Sequence, residues 1–181
     1  MWTFRDALST WVGALSRGGL LWSNREEEGV VAAAGVVGDE RLEELSSWFG
    51  TRTQEQLERE RVATIKLCIW LARADRNLDD TERDLIADIV AHSDLGASAR
   101  EHLLEELAKD TEVDRAAAVK ELTHPVLQEL MLAMAWQIVR ADGKVEQAER
   151  SSFAQLAADF GLTEEVASRV RSAVDAADSK E

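Results

Sequence analysis

Apolar residues recur at helical spacing along almost the whole chain. Phe4, Leu8, Trp11 and Leu15 share one stripe, and Gly18-Gly19 is placed to end the helix they imply. "SNREEEGVVAAAGVVGD" predicts a second helix. Ser23 or Asn24 can cap it, Glu26, Glu27 and Glu28 occupy a first turn whose dipole favours negative charge, and Gly38 stops it. A short helix follows Asp39, with Leu42, Leu45 and Trp48 or Phe49 inward and Gly50 at its end. A longer one starts near Thr53, which forms a capping-box pair with Gln56, and runs to about Ala74. Its inward face carries Val62, Ile65, Ile69 and Ala72.

After a turn at "ADRNLDD", Leu85, Ile86, Ile89 and Val90 mark the next helix, and two more are expected around 97–109 and 112–122. "THPVLQELMLAMAWQIVRAD" places Pro125 near a first helical position, where its missing N–H costs nothing. This segment is apolar almost all round, which predicts the central buried helix. Helices from about 146 to 160 and from Thr163 to about Ala176 complete the pattern, and the tail "DSKE" is expected to fray.

A gapless shift of 67 residues lays one part of the chain on another. Arg73-Ala74-Asp75 falls on Arg140-Ala141-Asp142, and Glu82-Arg83 on Glu149-Arg150. Ala87, Ala91 and Leu95 fall on Ala154, Ala158 and Leu162, and Leu78, Ile86 and Ile89 on Val145, Phe153 and Leu156. The unit is a helix, a turn opening with Asp, and a second helix with Glu near its start. Two such hairpins can pack about a pseudo-twofold axis, each burying what the other exposes.

Composition narrows the class. The chain has 181 residues, 45% hydrophobic and 31% charged, with one proline and 10 glycines. That is enough for one domain with a real core, and the scarcity of breakers favours an all-α protein. The formal charge of −14 argues against binding nucleic acid, since an acidic surface repels phosphate. Residues 1–25 differ: Arg5, Arg17 and Arg25 face Asp6 alone, a net of +2, which leaves −16 on the remainder. The single cysteine, Cys68, permits no internal disulfide and fits a reducing cytosol. No signal peptide is legible, and the apolar run "GVVAAAGVVG" is far short of the roughly 20 residues that span a bilayer. The chain is expected to be soluble.

Two segments, "LARADRNLDDTERDLIADIV" and "WQIVRADGKVEQAERSSFAQLAADFGLT", resemble the paired motifs of the TerB-like family, and "HPVLQELMLAMA" strengthens the likeness. It covers roughly residues 57–177. The resemblance implies an all-helical fold of two pseudo-symmetric hairpins. It also implies a non-enzymatic role in tellurite, phage or chemical stress, or in assemblies at the inner face of the membrane. Acidic turn residues of the family are thought to bind a divalent metal. Carried over, these are Asp142, Glu146 and Glu149 in the second copy and Asp75, Asp79 and Glu82 in the first. The first copy departs from the pattern, with Arg76 where Gly143 stands in the second. The expected organisation is an amphipathic helical extension over 1–50 and a TerB-like domain over 51–181.

Every acid of the motif also has a purely structural reading. Asp79-x-x-Glu82 is an acidic capping box, Glu146 and Glu149 lie in a first turn, and Gly143 suits a left-handed position after a helix. The stretch is not an EF-hand. Counting from Asp142 and Asp75, the twelfth positions are Phe153 and Ile86, and the sixth are Gln147 and Asp80. Any ion would be hard, Ca2+ or Mg2+, because every candidate ligand is oxygen. Catalysis lacks support: no phosphate loop, nucleophile motif or Cys/His set is present. His92 and His102 are expected to face solvent, His124 to start a helix, and Cys68, Trp70 and Trp136 to belong to the core. The acid-rich 39–60 region reads as a solvated face.

Protein partners are expected. Trp2, Trp11 and Trp22 on the basic N-terminal part leave three destinations for residues 1–22: the acidic body, a partner, or a peripheral membrane contact. The expected location is the cytoplasm, in the last case against the inner membrane face.

Overall fold

A computed structural model describes residues 26–74, 78–93, 95–109, 112–140 and 143–178. The expected first helix, with residues 1–22, lies outside them, as do Asp75, Arg76 and Asp142. The described residues are all-α, and no strand occurs among them. The helices are α1 (Glu26–Val37), α2 (Asp39–Phe49), α3 (Gln54–Ala72), α4 (Asp80–His92), α5 (Ala97–Lys109), α6 (Arg115–Glu121), α7 (Pro125–Val139), α8 (Gln147–Asp159) and α9 (Glu164–Asp178).

Local signals set these bounds. Thr53 Oγ1 accepts from the Gln56 amide at 3.2 Å while the Thr53 amide donates to Gln56 Oε1 at 2.9 Å, so α3 begins on the expected capping box. The helix expected around 112–122 is shorter, because Asp114 caps it by accepting from the Ala117 amide at 3.1 Å. His124 Nδ1 accepts from the Val126 amide at 3.2 Å, and Pro125 opens α7.

The central helix is α7. Of its 15 residues, 12 are buried, and it packs against α1, α2, α3, α4, α8 and α9. Helices α1 and α2 share this core through Val36, Val37, Leu42, Leu45 and Phe49.

The 67-residue offset governs three helices of each half. α3 ends at Ala72 and α7 at Val139; α4 spans 80–92 and α8 147–159; α5 begins at 97 and α9 at 164. Packing follows the same symmetry, since α3 lies on α8 as α4 lies on α7. The halves differ where sequence differs. α9 continues past the point matching the end of α5, so Arg73 donates to the terminal carbonyls of Glu106 (2.8 Å) and Leu107 (3.0 Å). Its counterpart Arg140 instead pairs with Asp175 on α9, at 2.9 Å.

Candidate functional site: the paired acidic turns

Both turns leave their first helix and enter their second in matching conformations. The C-caps Arg73 (φ −91°, ψ 8°) and Arg140 (φ −93°, ψ −4°) agree closely, as do the N-caps Asp79 (φ −62°, ψ 149°) and Glu146 (φ −72°, ψ 156°). Gly143 takes φ +80°, the left-handed conformation expected of it, and its amide donates to the Arg140 carbonyl at 2.9 Å.

The acids divide into two kinds. Glu82 and Glu149 are buried, 3% and 4% exposed, at the third position of α4 and α8. Glu82 Oε2 accepts from the Asp79 amide at 3.1 Å, and Glu149 Oε2 from the Glu146 amide at 2.8 Å. One oxygen of each is thus committed to closing the turn. Glu146 is exposed and Asp79 half-exposed. Asp79 Oδ1 accepts from the Thr81 amide at 2.6 Å. That bond holds the Asp79 carboxyl below the usual aspartate range, and the positive charge of Lys144 adds to the effect.

Among the described residues, no group of three or more His, Cys, Asp or Glu side chains is arranged to hold a metal ion. Asp75 and Asp142, each the opening acid of its turn, fall outside that set. The donors present suit a hard cation, since Asp79 and Glu146 offer carboxylate oxygens near solvent.

Other candidates settle into structural roles. Cys68 is 2% exposed and burial pushes its thiol up to about 12, which makes it inert. His102 is exposed, and burial pushes His124 below the usual histidine range. Trp136 is buried, with Nε1 donating to Asp175 at 2.9 Å; Trp70 is half-buried beneath the Arg115 guanidinium, 4.9 Å from the ring centre. Among the described residues, one hollow of about 250 Å³ lies between α3 and α6 and another of about 510 Å³ beside Trp70 and Arg115. Neither is lined by a described turn acid.

Two buried carboxylates escaped the pattern of the sequence. Region 39–60 is not wholly a solvated face: Glu60 is 1% exposed, with Oε1 accepting from Arg52 Nη2 at 2.7 Å and from Nε at 3.0 Å. Burial pushes the Glu60 carboxyl up, more than Arg52 pulls it down. Glu129, in the middle of α7, is 3% exposed and bound by Arg41 and Arg169. Its signal was available, because it is the lone charged residue between Pro125 and Val139.

The family model for tellurite resistance protein TerB matches residues 61–172. This chain belongs to the TerB family. The match runs from α3 into α9 and contains both turns of the repeat, while α1 and α2 precede it. No curated protein and no solved structure matches. Among the described residues, no helix of this TerB-family chain is long and apolar enough to cross a membrane.

Proposed function

We propose that this chain is a non-enzymatic TerB-family scaffold of the stress response, which holds a hard divalent cation at its acidic inter-helix turns, most tightly at the second. The family is generally non-catalytic. The observation that carries the reading is the matched geometry of the repeat: both turns enter their second helix through an acidic N-cap, Asp79 and Glu146, with like backbone angles and access to solvent. Asp142 and Glu146 hold the ion, with Asp75 and Asp79 as the weaker site. Glu82 and Glu149 position the turns rather than supply most of the ligands. The ion's contribution is electrostatic: it neutralises carboxylates of the turn that opens a helix. The scaffold works through protein partners in the cytoplasm, or against the inner membrane face.

The capping role of Glu82 and Glu149 favours a second reading, an interaction subunit whose acidic turns are structural and take no metal. Calorimetric titration of the full chain with CaCl2 and with MgCl2 separates the two. The first predicts saturable heat near one ion per chain, of modest affinity because water fills most of the coordination shell. The second predicts none.

A further inference from the structure

The central helix α7 is capped by a histidine. Pro125 brings no N–H, so Val126 carries the first free amide of the helix, and it donates to His124 Nδ1 at 3.2 Å. A ring nitrogen accepts only while it carries no proton, which fixes the neutral tautomer with its hydrogen on Nε2. Nε2 faces α2, where Glu44 Oε1 lies 4.0 Å away. The ring also packs on Trp48 of α2, with centres 5.0 Å apart and planes at 49°. The His124 side chain is 11% exposed, so a charge placed on it would find little water.

We propose that His124 is an acid-sensitive cap: neutral, it holds the first turn of α7, and once Nδ1 takes a proton from solvent it lets that turn go. Protonated, Nδ1 becomes a second donor aimed at the N–H it formerly accepted from. The charged ring then sits at the positive end of the α7 dipole. Burial opposes the charge most, and Arg41 of α2 opposes it further; Glu44 and the face of Trp48 favour it. The other charges of the neighbouring elements are partnered or of mixed sign. Arg52 lies 4.7 Å from the centre of the Trp48 ring and pairs with Glu60, Glu129 of α7 is bound by Arg41 and Arg169, and α6 ends in Lys120 and Glu121. The balance holds His124 below the usual histidine range, so the unfolded chain binds this proton more tightly than the folded one. Stability is therefore lost as pH falls through the ordinary histidine range toward the lower folded value. What acid loosens is the junction of α6 and α7, where Leu122 and Val126, 1% and 2% exposed, enter the core. The 15 residues of α7 put about 22 Å between this cap and the second acidic turn, so the device does not depend on the cation reading.

Two-bond proton–nitrogen correlation spectra of the full chain read the ring directly. Nδ1 should be bare at pH 7.5, and its protonation midpoint should lie below that of the same histidine in the urea-unfolded chain. A proton on Nδ1 at pH 7.5, or a midpoint at or above the unfolded one, would overturn the proposal. Neither measurement needs a variant to fold. Hydrogen exchange reads the helix. Corrected for intrinsic rates, protection of the Val126 amide should drop about threefold or more between pH 7.5 and pH 5 in the unaltered chain. It should change less than about twofold in His124→Asn, whose side-chain oxygen caps without titrating. Equal drops in both chains would assign the change to another group, and no drop in the unaltered chain would show a helix indifferent to its cap. Either result overturns the proposal.

Discussion

Glu129 Oε2 accepts from Arg41 Nη1 at 2.7 Å and from Arg169 Nη2 at 2.9 Å, while Oε1 accepts from Arg41 Nη2 at 2.8 Å. One buried carboxylate on the central helix thus fastens α2, which precedes the family match, and α9, near its end. The carboxylate side chain is 4% exposed, whereas Arg41 and Arg169 are 37% and 46% exposed. The asymmetry decides what mutations do. Removing both arginines strands a buried charge, whereas removing the glutamate frees two guanidinium groups to rehydrate. Urea unfolding should therefore show a loss of about 3–5 kcal/mol for Arg41→Ala with Arg169→Ala, and less than about 1.5 kcal/mol for Glu129→Met. Equal losses would contradict the account.

Glu149 distinguishes capping from ligation. Glu149→Gln retains an oxygen that can accept from the Glu146 amide, so its stability should stay near that of the unaltered chain. Glu149→Ala should cost about 1 kcal/mol. If Glu149→Gln unfolds as easily as Glu149→Ala, the negative charge rather than the cap sustains the turn.

Gly143 holds φ +80° with open space around its Cβ position, so the penalty for a side chain is backbone strain alone. Gly143→Ala should cost about 1–2 kcal/mol and Gly143→Asn less, because Asn tolerates the left-handed conformation. Thermal unfolding of both variants checks the order.

Glu60 gives a pH dependence of definite sign. Burial raises its folded pKa above the unfolded value, so the folded state binds the proton more tightly. Stability from this group therefore rises as pH falls through the folded pKa and is complete below the ordinary glutamate range; it is lost at neutral pH. Subtracting the curve for Glu60→Gln from that of the unaltered chain should show that rise just above the ordinary glutamate range. A difference that falls on acidification would mean the Arg52 ion pair outweighs burial.

Much of the fold was legible because its signals are local. The capping pairs Thr53/Gln56 and Asp79/Glu82, the stop at Gly50 and the 67-residue offset each depend on residues a few positions apart or on direct comparison of two stretches. The burial of Glu60 was not legible, and for Glu129, which its place in an apolar helix marked, the partners were not. Those partners are Arg41 and Arg169, brought to it only by tertiary packing. For the turns, sequence placed the acids in the correct repeat but could not divide them. Which oxygens close the capping boxes and which face solvent is shown by the hydrogen bonds and burial of Glu82 and Glu149.

The central claim is that the turns of the repeat form a cation site in which the second copy dominates. It is tested most directly by calorimetric titration of the full chain, Asp142→Asn and Asp75→Asn with CaCl2 and MgCl2. The account predicts saturable binding by the unaltered chain, at least a tenfold loss of affinity for Asp142→Asn, and a smaller loss for Asp75→Asn, whose neighbour in sequence, Arg76, adds a competing positive charge that Gly143 does not. No binding heat from the unaltered chain, or a larger loss for Asp75→Asn, would contradict it.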